Sequence, residues 1–362
     1  MKIEERYMYR AIELAKKGYG RVNPNPLVGA VIVKNGEIIG EGYHAYFGGL
    51  HAERNALQNC RASPEGATLY VTLEPCCHYG KTPPCTEIII KKKIKRVIIG
   101  SVDPNMKTPR AGIHQLLEHS IEVIEGICKN QCELLNEVFF NFVKTKRPFV
   151  TMKYAMTMDG KIATRSGESQ WITGEIARAD VHLDRNKNMA IMVGSRTVLM
   201  DNPMLNCRIE NGCHPIRIIC DTKLNTPIDA KVVKTAQKIR TIIATNISEE
   251  CLQLPYKECG CELLVIPKEK EHINLKILMK RLGAMGIDSV YLEGGGTLNF
   301  SALEAHIVHR VKTYIHPILF GGEKAKTPVE GKGVQRVDQG FNLKVREIKR
   351  LGEDFLIESE VL

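Results

Sequence analysis

The residues of the first quarter of the chain most able to do chemistry together are His51-Ala52-Glu53, then Pro75-Cys76, then Cys85 after eight intervening positions. An imidazole and two thiolates fill three positions of a tetrahedral zinc ion and leave the fourth for solvent, the pattern of a catalytic site. Such an ion brings the pKa of a water molecule from about 16 toward 7. Glu53 lies two residues from His51 near a predicted helix start. It can reach that water without being a ligand and can shuttle its proton as a general acid–base group. A closed structural site would instead need a fourth ligand, and Cys77 or His78 could supply one. Cys77 reads better as a spare thiol, because neighbours on an extended strand face opposite ways.

A second constellation lies far downstream. Ser289-Val290-Tyr291-Leu292-Glu293 reads as a strand that runs through Gly294-Gly295-Gly296 into a helix opened by Thr297-Leu298. Glycines permit close backbone approach, and helix-start amides favour an anion, so a cofactor phosphate fits there; turn geometry alone would explain the glycines equally well. The dinucleotide fingerprint with its alternating glycines is absent.

The elements that must position these groups follow an α/β pattern. Glu4–Lys17 has helical apolar spacing, and Leu27–Val33 and Glu37–Glu41 form a hairpin across Asn35-Gly36. Strands at 67–73, 96–101 and 121–124 alternate with helical stretches near 51–60, 84–93 and 111–119, which implies an α/β/α layered sheet. One amphipathic stretch, Asn130–Lys144, closes this unit before Lys146-Arg147-Pro148, so domains are expected at 1–146 and 147–362. The second starts with a strand at 149–154 and continues with strands near 188–194, 215–221, 239–245, 261–266, 288–292 and 310–316. It ends in two strands, 341–348 and 354–361, with no helix between them, hence an antiparallel edge on a mainly parallel sheet.

Composition bounds the function. The chain has 362 residues, 43% hydrophobic and 25% charged, with a net charge of +10. Residues 1–146 hold 20 basic and 15 acidic side chains, which leaves 31 and 26 for the remainder, so the excess is +5 on each side. An evenly spread charge and 6% aromatic residues offer little of the cationic track or stacking surface that the rival reading, a nucleic-acid editing zinc deaminase with an accessory domain, would need. The surplus suits phosphorylated small molecules. No run of eighteen apolar residues is present, so no membrane span is expected. Residues 1–20 read as a polar amphipathic helix rather than a secretory leader, and a cytoplasmic enzyme with reduced cysteines is expected.

The insert between the two cysteines, Glu74-Pro75-Cys76-Cys77-His78-Tyr79-Gly80-Lys81-Thr82-Pro83-Pro84-Cys85, resembles that of the pyrimidine deaminases of riboflavin biosynthesis. Lys153 through Gly160, Gly167 through Gly174, Gly194 through Val198 and Asp201-Asn202-Pro203 resemble the riboflavin reductase domain, which has a dihydrofolate-reductase-like fold. Together the halves resemble the bifunctional riboflavin deaminase/reductase family along nearly the whole chain. The resemblance implies a cytidine-deaminase-like N-terminal domain, a reductase C-terminal domain, Zn2+ and NADPH as cofactors, and a homo-oligomer, dimer or tetramer.

It also implies site residues. Beside the metal ligands His51, Cys76 and Cys85 and catalytic Glu53, it makes Asn23, Lys81, Asp103 and Asn105 substrate-binding, with His44 and His78 as further candidates. Cofactor contacts fall on Ala155, Trp171, Thr197, Asp201, Thr222, Gly295, Gly296, Thr297, Leu298, Asn299, Phe300 and Ser301. Reductase substrate contacts fall on Lys153, Ser169, Arg185, Leu205, Arg208 and Glu293, where two arginines suit a phosphate and Glu293 suits ribose hydroxyls. Trp171 could equally be core, and either arginine a surface ion pair. The chain departs from the family pattern at Met106–Arg110 and at Asn225, where the family often has arginine. A zinc-stabilised, non-catalytic nucleotide-sensing module is the rival from outside enzymology, and replacing Glu53 separates the two.

Overall fold

The computed structural model describes residues 3–80, 83–104 and 110–362. The chain divides into two compact units, Met1–Lys146 and Arg147–Leu362.

The first unit runs α1 (Ile3–Lys16), β1 (Gly29–Lys34), β2 (Glu37–Tyr43), α2 (Ala52–Gln58), β3 (Thr68–Leu73), α3 (Cys85–Lys91), β4 (Arg96–Ser101), α4 (Ala111–Glu118), β5 (Glu122–Glu125), α5 (Lys129–Leu135) and α6 (Glu137–Thr145). Its sheet has the order β2-β1-β3-β4-β5. The β1–β2 hairpin turns through Asn35 and Gly36 at φ 52° and 81°, the left-handed pair that a two-residue turn requires. Side chains alternate across the sheet. Ile32, Leu69, Val97 and Ile99 meet α2, α3 and α4 through Ala56, Ile89 and Leu116. Val31, Tyr70 and Ile98 face the other way, onto Met8, Ala11 and Ile12 of α1 and Cys132 of α5. These are the layers expected from the alternation of strands and helices.

The single helix expected over 130–144 is instead two, broken at Asn136. The cause is tertiary. The buried Asn136 amide accepts a hydrogen bond from the Leu27 N–H at 2.8 Å and donates to the Leu27 carbonyl at 2.9 Å, which the local pattern does not reveal.

The second unit has the strands β6 (Phe149–Thr157), β7 (Ala190–Gly194), β8 (Ile216–Cys220), β9 (Thr241–Thr245), β10 (Glu262–Val265), β11 (Lys268–Glu269), β12 (His272–Ile273), β13 (Ser289–Leu292), β14 (Arg310–His316), β15 (Leu343–Leu351) and β16 (Asp354–Val361). Its helices are α7 (Glu175–Lys187), α8 (Ser195–Asp201), α9 (Lys231–Lys234), α10 (Glu250–Glu258), α11 (Leu275–Ala284) and α12 (Gly296–Glu304). Nine strands form one sheet in the order β10-β9-β8-β7-β13-β6-β14-β16-β15, parallel through β14 and antiparallel at β14–β16 and β16–β15. The antiparallel edge lies where the pattern required it, whereas the small β11–β12 hairpin was not anticipated. The parallel strands are buried on both faces. Met152, Met192, Ile218 and Val290 pack on α11 and α12, and Ile191, Val193, Ile219 and Ile243 pack on α8, α9 and α10.

Close packing of α2 on β2 fixes the helix that carries Glu53. A methyl group at Gly42 would lie 2.5 Å from the Ala52 carbonyl oxygen and closer still to the Ala56 nitrogen. Gly42→Ala is expected to destabilise the first unit by about 2–3 kcal/mol, the range for overpacking, measured by urea unfolding of full-length protein.

Candidate functional sites

His51 is the residue immediately before α2, so its ring projects at the helix entrance while Glu53, in the first turn, is buried at 3% exposure. Cys76 follows the end of β3, and Cys85 opens α3. The loop between the sulfurs is closed on itself: the Cys85 and Thr86 N–H groups donate to the Cys76 carbonyl at 3.0 and 3.2 Å. Arg54 donates from Nε to the Pro83 carbonyl at 3.2 Å and from Nη2 to the Pro84 carbonyl at 2.8 Å.

His51 Nδ1 is 3.3 Å from Cys76 Sγ and 3.4 Å from Cys85 Sγ, and the three donor atoms all lie within 4.8 Å of one another. Ligands at bond lengths of about 2.0 Å for nitrogen and 2.3 Å for sulfur around a tetrahedral zinc stand about 3.5–3.8 Å apart, so the three donors fit one ion. Neither Cys77 nor His78 joins the group among the described residues.

The electrostatics agree. Burial pushes the Glu53 carboxyl up to about 7. The Cys85 thiol and the His51 ring draw Cys76 toward the thiolate, while the hydrogen bond to Cys76, with burial, holds Cys85 protonated. Three acidic groups crowd one buried spot and cannot all ionise unaided. A divalent cation supplies the charge that lets both sulfurs be thiolates.

Behind His51 the His44 ring stands edge-on at 5.6 Å between centroids. Its Nδ1 is 3.0 Å from the Leu50 carbonyl and its Nε2 3.1 Å from the Asn25 amide, so both ring nitrogens are engaged within the protein. Glu74, two residues before Cys76, accepts hydrogen bonds from the N–H groups of Asp103 at 3.2 Å, Gly112 at 3.0 Å and Ile113 at 3.3 Å, and so fixes the loop after β4. Asn23 sits in the loop after α1. Lys81, Asn105 and the departure at 106–109 lie outside the described residues.

In the second unit a cavity of about 1190 Å³ opens at the carboxyl ends of the parallel strands, where such sheets bind ligands. Lys153, Ala155, Ser169, Trp171, Arg185, Thr197, Asp201, Leu205, Arg208, Thr222, Glu293, Gly295, Gly296, Thr297, Leu298, Asn299 and Ser301 all line it. Phe300 does not. It is buried against Phe341 at 6.0 Å and under Gly331, because its direction on α12 points away from the cavity. Trp171 is 62% exposed, which excludes a core role, and the Arg178 guanidinium lies 4.9 Å from its ring centroid.

The 169–174 segment is pinned along its length. Ser169 Oγ donates to Asp201 at 3.2 Å, Arg178 donates to the Thr173 carbonyl at 2.6 Å, and the Gly174 N–H donates to buried Asp354 at 2.8 Å. Asp354 also meets His316 Nδ1 at 2.7 Å.

Arg185 and Glu293 pair with each other, a two-pronged bridge at 2.6 and 2.8 Å, while a third Arg185 donor reaches the Asn206 carbonyl at 3.0 Å. Burial alone would raise the Glu293 carboxyl, but Arg185, with Lys153 and His182 near, outweighs it and holds it down at about 2. Lys153 is pushed below the ordinary lysine value by burial. Asn225, which departs from the arginine frequent in the family pattern, lines the cavity beside Thr222, and its N–H donates to Asp221 at 2.9 Å.

Comparison with known proteins decides the family. Residues 1–101 match the model of the cytidine and deoxycytidylate deaminase zinc-binding region, and residues 148–357 match that of the RibD C-terminal domain. The riboflavin biosynthesis protein RibD of Actinobacillus pleuropneumoniae is 54% identical over 98% of this chain and 95% of its own length. The chain belongs to the RibD family. RibD of Bacillus amyloliquefaciens is 41% identical over 97% of this chain and 95% of its own. The crystal structure of a diaminohydroxyphosphoribosylaminopyrimidine deaminase/5-amino-6-(5-phosphoribosylamino)uracil reductase from Thermotoga maritima superposes with a TM-score of 0.89 at 40% identity, covering 99% of each chain. As a member of the RibD family this chain is a riboflavin-biosynthesis enzyme with a zinc-type deaminase domain followed by a reductase domain.

Asn25, Arg54, Glu74, His182 and Asp354 lie on or beside the candidate residues, and the sequence assigned none of them a role. Each is a common residue type in an unremarkable local pattern. Only the adjacency of Arg54 to Glu53 and of Glu74 to Pro75-Cys76 could have drawn attention to them.

Cys76→Ala removes one of three ligands from a site that has no spare donor in its group. Zinc content is expected to fall from about one ion per chain to below about a tenth, measured by atomic absorption, with NADPH oxidation by the second unit retained.

Proposed function

We propose that this chain hydrolytically deaminates 2,5-diamino-6-ribosylamino-4(3H)-pyrimidinone 5′-phosphate and then reduces 5-amino-6-(5-phosphoribosylamino)uracil to its ribitylamino product with NADPH. The observation that carries the reading is the convergence of His51, Cys76 and Cys85 beside the buried carboxyl of Glu53.

His51, Cys76 and Cys85 would hold zinc, which would supply the Lewis acidity that makes water nucleophilic near neutral pH. Glu53 takes the proton from the water whose oxygen adds at ring C2 and returns a proton to the departing amino nitrogen, so that ammonia leaves. Glu53 is suited to this by its place, buried in the first turn of α2 two residues from His51. Asn23, Lys81, Asp103 and Asn105 are assigned to the pyrimidine phosphate. Arg54 and Glu74 keep the ligand loop and the Asp103 loop in register with the strands.

NADPH bound in the cavity of the second unit would supply hydride for the reduction at ribose C1′. The cavity fits it: the volume exceeds the range of about 300–1,000 Å³ usual for one small ligand, α12 opens toward it at Gly295 and Gly296, and Asn299 Oδ1 is buried there without a partner. Ala155, Trp171, Thr197, Asp201, Thr222 and the turn through Ser301 are assigned to the cofactor, with Phe300 left out by its burial. Ser169, Arg185, Leu205, Arg208 and Glu293 are assigned to the substrate. Lys153 and Asp201 line the cavity and, with water, are the candidates for the proton that accompanies the hydride.

The reading extends to a cytoplasmic enzyme, supported by twelve cysteines that are all free thiols. It extends also to a homo-oligomer, dimer or tetramer, supported by the exposed outer strand β15 with Leu343, Val345 and Ile348 open to solvent. No helix among the described residues is long and apolar enough to cross a membrane.

The test is to supply the diaminopyrimidine phosphate with and without NADPH and to follow ammonia release and NADPH oxidation separately. Glu53→Gln is expected to cut ammonia release by about 10²–10⁴-fold, the weight of a general acid–base group. Its zinc content, and its oxidation of NADPH with the aminouracil substrate, should stay at wild-type levels. Undiminished ammonia release would defeat the assignment.

A further inference from the structure

Helix α7 brings three residues of interest to the cavity, His182, Arg185 and, one turn earlier, Arg178. Arg185 was the natural partner for a substrate phosphate, yet its fork is taken by Glu293 and another donor by the Asn206 carbonyl. Arg208 is different. It lines the same cavity, is exposed, and makes no hydrogen bond or ion pair among the described residues. The Cys207 thiol donates to the His182 carbonyl at 3.6 Å, which ties the segment bearing Arg208 to the turn of α7 bearing His182.

His182 is half-buried and belongs to neither assigned set. Its Nδ1 is buried with no hydrogen-bond partner. An orphaned N–H is costlier than an orphaned lone pair of the same ring, since the donor loses its only bond. The tautomer with its proton on Nε2 leaves only a lone pair unpaired at the buried Nδ1, and the ring lines the cavity. Burial, then Arg185 and Arg208, push the imidazole down to about 4, so near neutral pH it is an uncharged ring with one N–H to give. A neutral donor beside a free arginine suits a doubly charged oxyanion, because charge-assisted hydrogen bonds to phosphate are the strong ones.

We propose that His182 binds the substrate phosphate in the reductase site, donating its Nε2–H to the phosphate that Arg208 attracts. The proposal rests on the reductase reading above. It adds His182 to the substrate contacts and leaves Arg185 paired with Glu293.

The test uses full-length protein with zinc bound, and compares 5-amino-6-(5-phosphoribosylamino)uracil with the nucleoside made from it by phosphatase. His182→Phe keeps a ring and removes the donor, and His182→Gln keeps an N–H near the Nε2 position. With the phosphorylated substrate, H182F is expected to raise KM about 10-fold, the loss of one charge-assisted bond, with kcat and the NADPH dissociation constant from fluorescence titration unchanged. H182Q should remain near wild type, and neither variant should alter KM for the nucleoside. Inhibition by inorganic phosphate should weaken in H182F to the same degree. A KM rise shared by the nucleoside, a loss confined to kcat, or an H182Q variant as impaired as H182F would overturn the proposal. Wild-type protein that fails to oxidise NADPH with this substrate would instead defeat the reductase reading. Inorganic phosphate binding, measured by calorimetry on wild type and H182F, would then still decide whether His182 holds the anion.

Discussion

A ligand set for one metal ion exists only if an imidazole and two sulfurs, from chain positions 51, 76 and 85, arrive within a few ångströms of each other. Nearly every feature of the first unit serves that demand. The sheet places the end of β3 opposite the start of α2. Glycines in β2 let α2 approach closely, and Arg54 draws the loop before Cys85 back over the helix entrance. The arrangement is electrostatically uncomfortable by itself, since burial raises the Glu53 carboxyl to about 7 and the hydrogen bond to Cys76, with burial, keeps the Cys85 thiol protonated. The discomfort is the physical expression of a place that wants a cation.

The second unit meets a different demand. Hydride transfer requires two ligands to lie against each other, not a particular nucleophile. The parallel strands supply a wide mouth, and polar anchors at its rim order the irregular backbone there. The Arg185–Glu293 bridge shows how such a rim can be organised: two residues 108 positions apart spend their charge on one another, and a carboxylate is thereby held ionised in a buried place. Arg208, which lines the same cavity, makes no hydrogen bond or ion pair among the described residues. Asp354 plays a comparable part from the far end of the chain by fixing the Gly174 N–H, so the antiparallel edge contributes to the order of the cavity wall.

How much of this was legible beforehand depended on whether the signal was chemical or tertiary. The zinc ligands and Glu53 stood out because histidine, cysteine and glutamate at such spacings have few uses. The Asn35-Gly36 turn was readable because it needs two left-handed residues, and the edge hairpin because no helix separates its strands. By contrast, Asn136 resembles any polar residue on an amphipathic helix until its partner at Leu27 is seen. Phe300 lies within a run of residues that line the cavity, and only the helical rotation shows that its ring turns away. His182 and Asp354 owe their interest to partners far off in sequence, which no local pattern encodes.

The Asn136–Leu27 pair has a bearing on how the protein is made. It joins the entrance of β1 to the last helical pair across 109 residues, and its two hydrogen bonds are both buried. On the ribosome the amino-terminal segment must therefore wait, with its apolar faces incompletely covered, until the chain beyond residue 136 has left the exit tunnel. Closing so long a loop is entropically slow. The first unit is thus a domain whose last-made part completes the seating of its first-made part, and it cannot be finished piecemeal from its beginning.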